Sequence, residues 1–417
     1  METRRGKLLV GQSGGCTQVI NASLVGVIEQ GKKSSEITAL WGTRHGVEGI
    51  LKGEIVDLSR EDPRILRKIA RTPAAALGSC RRKLSDAEVR GVLERFREWG
   101  VRYFIYIGGN DSADTAHRLA RAAAEAGNGL RVVSVPKTTD NDLPLTDHCP
   151  GYGSTARFIA SIVADTGAET EAMRTVEPVK IIEVMGRNAG WLPAAAALAK
   201  RNELDAPQFI WPPEVPFDEA KFLRLVRRWI GRIGYCVVVV SETIRDARGR
   251  AIADKGRAAE LDAFGHPRLV GAAECLCELV KEKVGVRARW DKPGTIQRMA
   301  AAYLSESDQR EARACGAWAV RYALRGRSDC MVVMRRAPGR AYRISYDTAP
   351  LSKIANSEKL LPAAWFDRRA MLPRKAFMDY ARPLAGEGLP EHPRLRGTVI
   401  SDRSDRSAGS VISPPVR

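Results

Sequence analysis

Aromatic residues are scarce in this chain, 6% of 417 residues. No motif interleaves them with basic residues, so the stacking surfaces that usually hold single-stranded nucleic acid are missing. The chain nevertheless carries 67 Lys and Arg against 49 Asp and Glu, a net charge of +18. That excess points to anionic partners, and phosphorylated metabolites meet it without a nucleic-acid motif. Cys-x-x-Cys pairs are also absent: eight cysteines are scattered, and only Cys275 and Cys277 lie close together. Zinc sites and a disulfide framework are therefore not expected, and free thiols are. The five histidines show no metal-ligand spacing. No apolar run approaches the roughly 18 residues of a membrane span. The stretch Met1 to Val10 is too short in its apolar part for a secretory signal. The expectation is a cytoplasmic protein with neither membrane nor nucleic acid as partner.

What is present is a core-forming composition, 44% hydrophobic, long enough for two domains. Its rhythm is an apolar strand, a glycine or polar turn, then a helix. Lys7 to Val10 opens into Gly11-Gln12-Ser13-Gly14-Gly15-Cys16 before an apolar-periodic helix. Such a turn can offer backbone N–H groups and a helix N-terminus to a phosphate, but it also occurs without any ligand. Val101 to Ile107 leads into Gly108-Gly109-Asn110-Asp111-Ser112. There Asp111 is either a helix cap or a carboxylate facing a phosphate or Mg²⁺. The run Val132 to Val135 leads into Pro136-Lys137-Thr138-Thr139-Asp140-Asn141-Asp142. One lysine and two acids at a strand end suit phosphate and metal chemistry. In extended backbone, Asp140 and Asp142 would face the same side. Read alone, the segment is equally a polar turn.

The second half repeats the pattern. Lys180 to Val184 precedes Met185-Gly186-Arg187, and Cys236 to Val240 ends in Ser241-Glu242. Arg287, Arg289 and Pro293-Gly294-Thr295-Ile296-Gln297-Arg298 follow near turns, while Thr72 to Arg82 is a small-residue loop closing on two arginines. This alternation argues for an α/β fold with parallel sheets, whose ligands sit at the carboxyl ends of strands. After about residue 345 the rhythm stops: Leu351 to Phe366 reads as helical or mixed, and residues 386–417 as a loosely ordered tail.

Taken in order, Ser13-Gly14-Gly15, Leu77 to Arg81, Gly108 to Ser112, Pro136 to Asp142, Met185 to Arg187, Glu242 and Pro293 to Arg298 resemble the phosphofructokinase family, over residues 7–345. The resemblance implies two Rossmann-like parallel-sheet domains with the active site in the cleft between them. Residues 1–150 plus about 298–347 would bind the phosphoryl donor, and 151–297 plus about 348–385 the sugar phosphate. It implies Asp140 as the base that takes the sugar 1-hydroxyl proton, with Lys137, Asp111 and Arg187 completing the catalytic set. Gly14, Gly15, Arg81 and Lys137 would hold the donor. Thr138, Asp140, Met185, Gly186, Arg187, Glu242, Arg289, Thr295 and Arg298 would contact fructose 6-phosphate. Asn110, Asp111 and Asp142 would hold Mg²⁺ or its waters. Where ATP-using relatives have glycine, this chain has Asp111 and Lys137. The carboxylate adds bulk and charge where a nucleotide's α-phosphate would run, and the lysine suits a compact diphosphate. Both resemble the pyrophosphate-dependent branch; ATP as donor, sedoheptulose 7-phosphate as acceptor and a non-catalytic regulatory homologue are the alternatives. Three departures stand out: Asn110 for an aspartate, Thr295 for a histidine, and Pro178 where some relatives place an arginine lent by a neighbouring subunit. A homo-oligomer, dimer or tetramer, is expected.

Overall fold

A computed structural model describes residues 5–253, 271–339 and 341–395. Strands form on the apolar runs. In chain order they are Gly6–Gln12 (β1), Ile37–Thr43 (β2), Ile55–Asp57 (β3), Val101–Gly108 (β4), Arg131–Pro136 (β5) and Val179–Val184 (β6). Phe209–Trp211 (β7), Cys236–Ser241 (β8), Ala288–Asp291 (β9), Cys330–Arg336 (β10) and Ile344–Pro350 (β11) follow.

Seven of these make one sheet in the order β11-β10-β5-β4-β1-β2-β3. The pairs from β10 through β2 are parallel, and β11 and β3 close the edges antiparallel. Alternation divides its side chains between two cores: Leu8, Val10, Ile105 and Ile107 on one face, Leu9, Phe104 and Tyr106 on the other. Both faces are covered by helices, which is why these strands read as continuous apolar runs. The second sheet, β7-β8-β6-β9, is all parallel and shares a core with helices Tyr152–Ala172 and Lys375–Ala385. The fold is therefore α/β with two parallel-sheet units.

The chain visits the first unit twice. Helix Glu306–Leu324 returns to pack on helix Ile20–Gly31 at very close range. A Cβ on Gly26 would lie 1.9 Å from the Arg313 carbonyl oxygen, and one on Gly316 2.0 Å from that of Ser23. Glycine is required at both points of this crossing. The second return comes later than the sequence suggested. β11 runs to Pro350, and Leu351 and Ile354 remain in the first unit's core, so the boundary lies after residue 354 and not at 347.

Leu351 to Phe366, read as helical or mixed, contains short 3-10 turns at Leu351–Lys353 and Ala363–Trp365 and, at Phe366, the start of a two-residue strand paired with Leu372–Pro373. Its backbone groups bond across to other elements, and Asn356 is left-handed at φ 58°. The tail reading also changes. Residues 386–395 are fastened to the second unit by Arg157 and Arg201, which donate to main-chain carbonyls of Glu387, Gly388, Leu389 and Pro390. Arg394 pairs with Glu171 and Asp205. Residues 396–417 lie outside the described residues. Among the described residues, no helix is long and apolar enough to cross a membrane.

Candidate active site

In the first sheet the strand order reverses beside β1, so the carboxyl ends of β1, β4 and β5 converge. Serine and glycine geometry locks their turns together. The Ser112 hydroxyl donates to the Ser13 hydroxyl at 2.9 Å, Gly14 N–H to the Cys80 carbonyl at 3.0 Å, and Lys137 N–H to the Gly108 carbonyl at 3.1 Å. In the second unit the Ser241 hydroxyl donates to the Gly186 carbonyl at 2.6 Å, fixing the turn that carries Arg187 beside Glu242. The two halves are tied through Gln297: its side-chain oxygen accepts from Met185 N–H at 3.1 Å, and its carbonyl accepts from the Gln18 amide at 3.0 Å. That contact delivers Arg298 into the cleft.

Between the units lies a cavity of about 570 Å³. Thirteen of the expected site residues line it: Gly14, Gly15, Arg81, Asn110, Asp111, Lys137, Thr138, Asp140, Asp142, Met185, Arg187, Glu242 and Arg298. A larger open groove, about 920 Å³, runs between helices Asp86–Trp99 and Asn110–Glu125 and holds none of them.

Its chemistry is set by burial. Lys137 is buried, and desolvation brings its ammonium down to about 8. Gly14 is left-handed, at φ 76°, and a Cβ there would stand 3.1 Å from the Lys137 Nζ. The missing side chain leaves that ammonium a face open to the cavity. A Cβ on Gly15 would meet the Arg298 guanidinium in the same way, at 2.5 Å. Arg298 Nε is buried without a hydrogen-bond partner, and burial lowers the guanidinium below its ordinary range. Opposite these cations, Asp140 is raised well above the usual carboxylate range by burial and by Glu242. Asp142 is raised too, by burial, Asp140 and Glu358.

Six readings change. Asp140 and Asp142 do not share the face of an extended strand: β5 stops at Pro136, and Asn141 between them is left-handed at φ 57°. The Asn141 side chain donates to the Tyr380 hydroxyl at 2.8 Å and accepts from Cys149 N–H at 3.0 Å. This anchored kink turns both acids into the cavity. Asp111 is not a helix cap. It sits exposed in the first turn of helix Asn110–Glu125, whose N-cap is Gly109. Asn110 has both amide atoms engaged with the main chain of residues 356–357. It is a clamp and not an open oxygen ligand. Arg289 lies outside the cavity on the edge strand β9, paired with Glu177. Thr295 is exposed outside it too: of the 3-10 turn Gly294–Arg298, Gln297 is buried between the units and only Arg298 reaches the cavity wall. Gly186 stands next to the wall without lining it.

A family model described as Phosphofructokinase matches residues 7–323. The chain belongs to the phosphofructokinase family.

Within the family, similarity extends along nearly the whole chain. A Xanthomonas campestris protein named pyrophosphate--fructose 6-phosphate 1-phosphotransferase is 40% identical, covering 95% of this chain and 98% of its own length. A Rhodospirillum rubrum protein of the same name is 38% identical with the same coverages. Among solved structures, a pyrophosphate-dependent phosphofructokinase from Nitrosospira multiformis superposes with a TM-score of 0.84 at 35% identity, over 94% of this chain and 95% of its own.

Wall residues Cys16, Thr17, Thr139, Asn188, Asn356 and Glu358 were not singled out from the sequence. The first four adjoin motifs, so proximity alone would have found them. Asn356 and Glu358 lie in the arrhythmic stretch, far from any motif.

Proposed function

We propose that this family member is a cytoplasmic enzyme that transfers a phosphoryl group reversibly between pyrophosphate and fructose 6-phosphate. The products are fructose 1,6-bisphosphate and phosphate. The relatives' names point to this reaction, and one observation in the chain itself carries the choice of donor. The Lys137 ammonium is buried and faces the bare backbone of Gly14, with the Asp111 carboxylate at the rim of the same cavity. A compact diphosphate places its charge against that ammonium, whereas a nucleoside triphosphate would have to lead its α-phosphate past Asp111.

In this account the first unit holds the donor at Gly14, Gly15, Arg81 and Lys137. The second holds the sugar phosphate at Met185, Arg187 and Glu242, and Arg298 and Thr138 reach in from their turns. Asp140 accepts the proton of the 1-hydroxyl as its oxygen attacks the donor phosphorus. The bridging P–O bond breaks and phosphate leaves. A carboxylate suffices, because the proton moves as charge develops on the attacking oxygen. Lys137 and Arg187 stabilise charge on the phosphoryl oxygens, and Arg298 is poised between the two subsites. Bond for bond, a phosphoanhydride and a phosphate ester exchange, so the same groups run the reverse reaction.

The acids fit Mg²⁺. Asp140 and Asp142 are two half-buried carboxylates, each pushed up by burial and by a neighbouring acid, and a cation relieves both. Among the described residues, no group of three or more His, Cys, Asp or Glu could hold a metal unaided. The fit is therefore to an ion that arrives with the diphosphate, since Mg²⁺ is commonly held by one or two carboxylates plus substrate phosphates. Asp142 and Asp111 would hold it or its waters. Once bound, the ion neutralises charge on the donor oxygens.

A homo-oligomer belongs to the same proposal. Arg289 is on edge strand β9, whose Trp290 is 44% exposed, and Ile296 nearby is 62% exposed. A second copy of the chain covering this edge would bury them. The test of the reaction is turnover of fructose 6-phosphate with pyrophosphate and, separately, with ATP. Product with pyrophosphate is expected, and turnover with ATP alone would overturn the proposal.

A further inference from the structure

Residues 355–361 form a strap that crosses from one unit to the other at the cavity rim. Behind it, Leu351 and Ile354 are held in the core of the first unit, and its last residue, Leu361, is buried in the second. Beyond its local turns onto Leu351 and Ile354, the strap's backbone bonds to Asn110 and Asp142 in the site and to Trp191 and Glu214 behind it. Asn356 N–H donates to Asn110 Oδ1 at 2.6 Å, and Asn110 Nδ2 donates to the Ser357 carbonyl at 2.6 Å. Lys359 N–H donates to the Asp142 carbonyl at 2.6 Å, and the Lys359 carbonyl accepts from Trp191 Nε1 at 2.7 Å. Leu361 N–H donates to Glu214 Oε1, which also accepts from Gly190 N–H. Between these fixings, Asn356 and Glu358 line the cavity, and Glu358 accepts from Asn188 across the cleft at 2.8 Å.

The identity of residue 110 follows from this geometry. The Asn110 amide accepts from Asn356 N–H and donates to the Ser357 carbonyl at once, which an ionised carboxylate, an acceptor only, cannot do. An aspartate would set its second oxygen against that carbonyl, oxygen facing oxygen. The strap then stands beside Asp111, so the rim carries two exposed carboxylates, Asp111 and Glu358.

We propose that the strap 355–361, clamped by Asn110, is a donor-selecting wall that admits a two-phosphate chain and turns away longer phosphoryl donors. Asn110 acts as a positioning residue and Glu358 as the charge on the wall. The inference rests on the pyrophosphate reading and adds the means by which length is measured.

The experiment uses the full chain, Asn110→Ala and Asn110→Asp, with inorganic pyrophosphate, inorganic tripolyphosphate and ATP as donors. It pairs kinetics with amide hydrogen exchange of the peptide spanning 354–361. Loss of the two clamp bonds should speed exchange there by roughly tenfold or more. The ratio of kcat/KM for tripolyphosphate over pyrophosphate should rise by about the same factor, mainly through a lower KM for tripolyphosphate. Asn110→Asp should loosen the strap at least as much as Asn110→Ala. Faster exchange with the ratio unchanged overturns the wall, and unchanged exchange overturns the clamp. Tighter Mg²⁺ binding by Asn110→Asp with the strap still protected makes residue 110 a metal ligand and also overturns the inference. If the Asn110 variants fail to fold, Glu358→Gln keeps the bond from Asn188 and removes only the charge. Its tripolyphosphate ratio should rise, and a ratio equal to wild type counts against the wall. Wild type that prefers ATP sinks the donor reading and the inference together. Wild type that prefers pyrophosphate, with all variant ratios unchanged, sinks the strap alone.

Discussion

Replacing Lys137 by methionine should stabilise the ligand-free protein and remove its use of pyrophosphate. Burial carries the ammonium from its ordinary 10.5 down to about 8. At ~1.4 kcal/mol per pKa step, that drop corresponds to about 3 kcal/mol of cost held in the empty site. The sign follows from linkage: the folded state binds this proton less well than the unfolded one. The cost is therefore fully present below pH 8 and fades as pH rises to 10.5, where neither state is charged. Methionine keeps the length of the side chain and carries no charge, so Lys137→Met should gain about 1–3 kcal/mol at pH 7, and this advantage should shrink at pH 10. Pyrophosphate, in contrast, loses one or two hydrogen bonds to a charged donor, about 2–4 kcal/mol, or ~30- to 1,000-fold in kcat/KM. Thermal melts at pH 7 and pH 10, with coupled detection of fructose 1,6-bisphosphate, read both effects. A variant less stable than wild type at pH 7 refutes the burial cost. One that retains pyrophosphate turnover refutes the role of the ammonium.

The same groups predict a bell-shaped pH dependence of kcat/KM for pyrophosphate. The alkaline limb should fall from about pH 8 as Lys137 discharges, and the acid limb should lie above the usual carboxylate range because Asp140 is raised. A profile flat between pH 5 and 9 would contradict it. Asp142→Asn should abolish turnover while raising Tm at pH 8 and not at pH 4. A folded pKa above 3.8 means that the ionised carboxylate costs stability only at higher pH; an equal shift at both pH values would show a packing effect instead. Trp290→Glu should lower the mass of the particle in light scattering if β9 is covered by a second copy, and an unchanged mass would move the interface elsewhere.

The fold was legible because the sequence encodes it locally. β4 and β5 are buried on both faces, so they appear as largely apolar runs, and the glycine and polar residues that end them mark where a parallel sheet delivers its ligands. That Gly14, Lys137 and Asp111 line the cavity could be read for the same reason, since each lies within three residues of a strand end. The failures came where a side chain's direction depends on distant packing. Arg289 and Arg298 look alike in sequence. Only Arg298 is turned inward, because Gln297 is gripped from two sides by Gln18 and Met185. The kink at Asn141 depends on Tyr380, 239 residues away. Asn110 looked like a weakened metal ligand because its partners, Asn356 and Ser357, lie in a stretch with no periodicity to announce them.

The most direct test is a competition in one tube. Equal pyrophosphate and ATP are given to the protein with fructose 6-phosphate and Mg²⁺, and the phosphorus resonances are followed by NMR. The account predicts that the pyrophosphate signal is converted to fructose 1,6-bisphosphate and phosphate while the three ATP resonances persist. Loss of the ATP γ-phosphate resonance with pyrophosphate intact would contradict it.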